Sequence, residues 1–152
     1  MRKRFFALFL ILFTTACALQ TDVRLRKVPD SAMEPTLKKD EVVRENFTVI
    51  AERPFARFDI VVVKDPTNKD QTLVRRIVAM PGETIQGVGL RILVDGKPLA
   101  EPFLPPSSKP PANFGPVRVA DGAYFLMGDH RSDNPPALTA KTADIVALIE
   151  KP

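Results

Sequence analysis

The sequence predicts an all-β domain, a barrel or sandwich of short strands with a proline-rich surface loop, on three observations. Short apolar runs rich in Val and Ile recur along the chain, as half-buried or fully buried strands require. Turn residues stand between them: fifteen prolines and seven glycines in 152 residues are more than a helix-rich chain tolerates. No window holds a sustained helical period.

Taken in order, "DVRLRKV" alternates, and "EVVRENFTVI" alternates in part. "FDIVVVK" and "TLVRRIVAM" are β-branched blocks, whose stiff side chains favour extended backbone. "RILVDGKPL" reads as strand, Asp-Gly turn, strand, because Asp and Gly accept the left-handed backbone that a tight hairpin needs. "GAYFLMGD" and "DIVALIE" close the set, and "PPALTAKTADI" is expected to hold a helical turn or two. Between Glu101 and Pro116, "EPFLPPSSKPPANFGP" carries six prolines in sixteen residues and is expected to be a stiff, extended surface loop, with a Pro-x-x-P ligand role as the alternative. Gly87 and Gly89 form a lone G-x-G, assigned to a turn and not to phosphate binding.

The formal charge of +4 does not mark a nucleic-acid partner. With Arg2, Lys3 and Arg4 set aside, nineteen basic side chains face eighteen acidic ones, so the domain has no polyanion footprint. Those three residues open "MRKRFFALFLILFTTACALQ", which reads as a targeting segment with a basic start, an apolar run and small residues before Cys17. The apolar stretch from Phe5 to Leu19 is fifteen residues, short of the ~20 that cross hydrocarbon as a helix, which favours a leader over a permanent span. Residues 1–16 are therefore expected to be a lipoprotein-type signal peptide or a short membrane anchor, 17–22 a linker, and 23–152 one domain. Thr14, Thr15, Ala16 and Cys17 resemble the lipobox of bacterial lipoproteins, with Thr14 where leucine is usual, which would make Cys17 the lipidated first residue. The alternative is a free cysteine in an uncleaved anchor, and a single cysteine permits no disulfide within the chain.

Four stretches carry chemistry. "VPDSAMEPTLKKDEVV", "ARFDIVVVKDP", "LVRRIVAMPGETI" and "YFLMGDHRSDN" follow in an order that resembles the boxes of the type I signal peptidases, Ser-Lys endopeptidases of the peptidase S26 class. The resemblance runs from about Val23 to the C-terminus and implies that family's all-β fold, with no cofactor or metal. It places the nucleophilic serine at Ala32, the lysine base at Arg75, and a helper hydroxyl for the oxyanion at Asp30.

Each replacement removes a different part of the chemistry. Ala32 has no atom that can attack a carbonyl. A guanidinium stays protonated in proteins and so cannot take a proton as a neutral lysine does. An ionised Asp30 presents acceptors where a developing oxyanion needs donors. In the last box, Asn134, Pro136 and Leu138 depart from the residues usual there, and His130 stands in place of asparagine. Ser31 is the fallback nucleophile, with Lys38, Lys39 and Lys64 nearby in sequence but expected to be solvated. The resemblance further implies a scaffold ion pair between Arg76 and Asp129, and Asp30 and Arg75 are expected to face each other as a second pair. It also implies an extended-peptide groove bordered by Met33 and Pro35 of the first box and by Ile60 and Val62 of "FDIVVVK", which would permit recognition by strand addition.

The expected function is a catalytically inactive signal-peptidase-like envelope protein, membrane-anchored on the extracytoplasmic, expected periplasmic, side and holding a peptide or membrane-proximal partner. Two alternatives stand beside it: an active endopeptidase with a non-standard dyad, and a structural envelope lipoprotein whose groove binds nothing.

Overall fold

The computed structural model describes residues 22–48, 53–89, 91–108, 113–131 and 137–150. Its strands are β1 (Val23–Lys27), β2 (Val42–Asn46), β3 (Ile60–Lys64), β4 (Thr72–Ala79), β5 (Thr84–Val88), β6 (Arg91–Val94), β7 (Lys97–Pro98), β8 (Phe114–Arg118), β9 (Ala123–Met127), β10 (Ala137–Lys141) and β11 (Ile145–Glu150). Every pairing is antiparallel. Seven strands form one sheet in the order β1-β2-β11-β3-β4-β9-β10, and four form a second in the order β7-β6-β5-β8. Among the described residues neither sheet closes into a barrel, and no helix is long and apolar enough to cross a membrane.

The continuous apolar run of β3 reflects burial on both faces. Ile60 and Val62 join Val28, Met33, Leu37, Val43, Val74, Ala147 and Ile149 in one cluster, whereas Val61 and Val63 join Ile77, Leu126, Ile145 and Leu148 in another. Alternation thus sends successive side chains into two different cores. The segment between β1 and β2 supplies Val28, Met33 and Leu37 to the first core, and this packing fixes the Asp30–Ala32 bend at the edge of the sheet. A third cluster, with Val78, Ala79, Ile85, Ile92, Phe125 and Met127, joins the two sheets. The register shift between Ile77 and Ala79 lets consecutive β4 residues enter that cluster.

Three expectations change here. Of the helical turn or two expected in "PPALTAKTADI", a single 3-10 turn at Thr142–Asp144 is present among the described residues, and β10 occupies 137–141 as an edge strand paired with β9. Thr139 and its neighbours gain ladder hydrogen bonds that an isolated turn lacks.

The proline-rich stretch is not extended throughout. It turns at 102–103 and 106–107, where Leu104 N–H donates to Glu101 C=O and Ser108 N–H donates to Pro105 C=O. Its end is strand β8, where Pro116 sits on a sheet edge and so costs no ladder donor. Gly115 is required there: its φ is +80°, and a Cβ would lie 2.9 Å from the Ile85 carbonyl.

Gly87 is a paired residue of β5 rather than part of a turn; Gly89, with φ +59°, makes the turn. The Asp95-Gly96 hairpin is present, with both residues at positive φ, joining β6 to β7.

Candidate functional site

The site lies where β4 leaves the protection of β9. β3 pairs with β4 from Lys64–Thr72 to Ile60–Arg76, while β9 begins to pair only at Arg76. Among the described residues, Thr72–Arg75 therefore have a strand on one side only. Arg75 closes part of this open edge itself, since its Nη1 donates to the carbonyl of Val74 at 2.7 Å.

The same guanidinium meets Asp30. Nη1 lies 3.3 and 3.2 Å from the two carboxylate oxygens, and Nη2 lies 3.3 Å from Oδ2. Oδ1 also accepts the backbone N–H of Ala32 at 3.0 Å. One carboxylate thus bridges a guanidinium and the N–H of the residue at the nucleophile position. The Arg75 side chain is 15% exposed and that of Asp30 36%, so the pair sits at the margin of solvent.

Ala32 is held from behind. Its carbonyl accepts the His130 N–H at 2.9 Å, and Gly128 packs so close that a Cβ there would overlap the same carbonyl. Gly128 is fixed by proximity alone. Ser31 lies in the bend, and among the described residues its hydroxyl meets no hydrogen-bond partner; Lys38, Lys39 and Lys64 are exposed and do not reach it.

Arg76, one residue along β4, has the opposite environment. Its Nε and Nη2 grip Asp129 at 2.8 and 2.5 Å, its Nη1 donates to the Phe58 carbonyl at 2.9 Å, and its guanidinium stacks 3.9 Å above the Phe103 ring. Both partners are buried, at 5% and 0% exposure, so this pair ties β4, the turn after β9 and the proline-rich segment together.

Four residues were expected to border a groove, and the structure separates them. Met33, Ile60 and Val62 are buried in the first core, at 0%, 4% and 0% exposure, and only Pro35 reaches the surface. They are apolar because they pack. β3 has β11 on one side and β4 on the other, so a strand added beside this site pairs with β4 at Thr72–Arg75 and not with β3.

Some of the site was missed in the sequence. Arg131 is 3% exposed, donates to the Gly128 carbonyl, and forks onto Glu101, which anchors the start of the proline-rich segment beside the site. A charged residue inside an otherwise turn-forming box was the available signal. Glu34, Pro35, Pro105, Ser107, Ser108 and His130 line a cleft of about 340 Å³ on this side of the molecule. Cys17, Asn134 and Pro136 lie outside the described residues; Leu138 is on β10, packed against the second core. Among the described residues no three His, Cys, Asp or Glu side chains gather as a metal site.

The family profile described as "Signal peptidase, peptidase S26" matches residues 1–134, a range that contains all four boxes. The chain belongs to the signal peptidase I family. It is 38% identical over 112 residues to signal peptidase I T of Bacillus subtilis strain 168, covering 68% of this chain and 58% of the relative. It is 35% identical over 115 residues to a signal peptidase I of Bacillus amyloliquefaciens, covering 70% and 60%. The chain therefore spans about 60% of the length of these curated relatives. Among solved structures, a signal peptidase I of Enterococcus faecalis V583 superposes with a TM-score of 0.54 at 22% identity, over 64% of this chain and 98% of that one, and shares its fold.

Proposed function

We propose that this member of the signal peptidase I family binds an extended peptide beside the open edge of β4 and does not cut it. The observation that carries the reading is the Asp30–Arg75 bridge over the Ala32 N–H. Acyl transfer needs a nucleophile, a base able to accept its proton, and donors aimed at the oxyanion. Ala32 supplies no nucleophile. Arg75 stays cationic, and the N–H of Ala32 is already spent on a carboxylate. Losing a nucleophile or base alone lowers serine-protease turnover by about a millionfold, and here both positions are changed.

What remains is suited to holding. The segment Thr72–Arg75 offers backbone groups to a strand-like ligand. The apolar amino-terminal segment supports a location at a bacterial membrane, with Cys17 as the lipid attachment point and the domain on the extracytoplasmic side. In this reading the peptide edge meets substrates as they emerge from the bilayer.

The test is incubation of purified protein with a labelled preprotein, followed by both gel analysis and recovery of the bound label. Binding without a cleavage product is the expected result. Cleavage that vanishes in Ser31→Ala would instead establish a working enzyme with an unconventional nucleophile.

A further inference from the structure

The bridge over Ala32 is itself a carboxylate-binding arrangement, now filled from within. Two kinds of donor converge on one anionic group: the planar fork of Arg75 and the N–H of Ala32. We propose that this is a recognition site for the free C-terminal carboxylate of a bound peptide, and that Asp30 is its internal competitor. The inference rests on the peptide-binding reading above and specifies the ligand: a chain that ends at the site, as a cleaved peptide does, rather than one that runs through it.

The distances favour exchange. All three contacts of Arg75 with Asp30 are 3.2 or 3.3 Å, whereas charge-assisted pairs settle near about 2.7–2.9 Å. The adjacent Arg76 reaches 2.8 and 2.5 Å on Asp129, so the strand itself permits close pairing. The Asp30 carboxylate is also tied to its own bend, because Oδ1 accepts the N–H two residues on while Oδ2 takes two of the three Arg75 contacts. A carboxylate arriving on a separate chain carries no such constraint.

Burial points the same way. Arg75 is mostly enclosed and costs free energy if left without an anion, while Asp30 is exposed enough to turn into water. One carboxylate therefore replaces another, and the guanidinium stays paired. The open edge at Thr72–Arg75 ends at this point, so a strand laid along it parallel to β4 delivers its C-terminus to the Arg75 fork. The site discriminates, since a carboxamide or a continuing peptide bond cannot supply the charge.

The experiment uses a fluorescent six-residue peptide of strand-forming residues ending in alanine, prepared as the free acid and as the carboxamide, with affinity read by anisotropy. The acid is expected to bind the wild-type protein more tightly than the amide. Asp30→Ala is expected to widen that preference to about tenfold or more, the scale of one added charged hydrogen bond. Asp30→Asn, which retains an acceptor for Ala32 N–H, guards against loss of folding and is expected to give a smaller widening. Arg75→Gln is expected to erase the difference between acid and amide. Equal binding of the two peptides by wild type and both Asp30 variants overturns the inference while leaving peptide binding intact. Binding of neither peptide by any folded variant overturns both.

Discussion

Asp129→Ala tests the physical distinction between the two adjacent arginines of β4. The wild-type carboxylate is fully buried and accepts two guanidinium hydrogens at 2.8 and 2.5 Å. Its removal leaves Arg76 at 5% exposure with the Phe58 carbonyl, a long contact to Thr36 at 3.4 Å and the face of Phe103. None of these neutralises the charge. Stripping one partner from a buried pair costs about 3–5 kcal/mol, which in a chain of this size lowers the melting temperature by about 10 °C or more. The matching change at the neighbouring pair, Asp30→Ala, removes contacts of 3.2–3.3 Å to Arg75 and the 3.0 Å bond from the Ala32 N–H, all at the solvent margin, and is expected to cost about 1–2 kcal/mol. Urea and thermal unfolding of the two variants give the comparison directly. Equal costs, or a near-neutral Asp129→Ala, would refute the assignment of Arg76–Asp129 as the tie that holds the site in place.

Three other outcomes follow from the same geometry. Gly128→Ala drives a methyl group into the Ala32 carbonyl and is expected to destabilise by about 1–3 kcal/mol and to disturb the Ala32 and His130 amide resonances in NMR. Ile60→Ala is expected to cost about 2–5 kcal/mol in urea unfolding, because the side chain fills the first core rather than lining a surface groove. Ala32→Ser alone is expected to give no measurable preprotein cleavage, since Arg75 takes no proton from the new hydroxyl and Asp30 still occupies the N–H beneath it.

What the sequence made legible divides along physical lines. The β-branched blocks of β3 and β4, the presence of β1 and the Asp95-Gly96 hairpin were readable because local chemistry sets them, although the alternation of β1 does not bury Leu25, which is 75% exposed. β5, β8 and β10 were not, because their strand character comes from partners: Ile85 pairs with both Val94 and Val117, and Leu138 with Leu126. The same limit governs the site. The residue identities at positions 30, 32 and 75 speak to chemistry, which a motif carries, but the 45-residue separation of Asp30 and Arg75 is closed only by the fold. Burial was the least readable quantity. Met33, Ile60 and Val62 look alike as groove residues and as core residues, and nothing in their spacing tells a peptide-facing valine from one packed against Ala147. Arg131 and Glu101 were unreadable as a pair for the same reason, 30 residues apart with a proline-rich segment between them.

Whether the site forms a covalent intermediate is read from the intact mass of the purified protein during incubation with a preprotein. An unmodified chain is expected at every time point, because Ala32 has no attacking atom and, among the described residues, no base lies within hydrogen-bond reach of the Ser31 hydroxyl. An acyl adduct that maps to Ser31 and disappears in Ser31→Ala would contradict it.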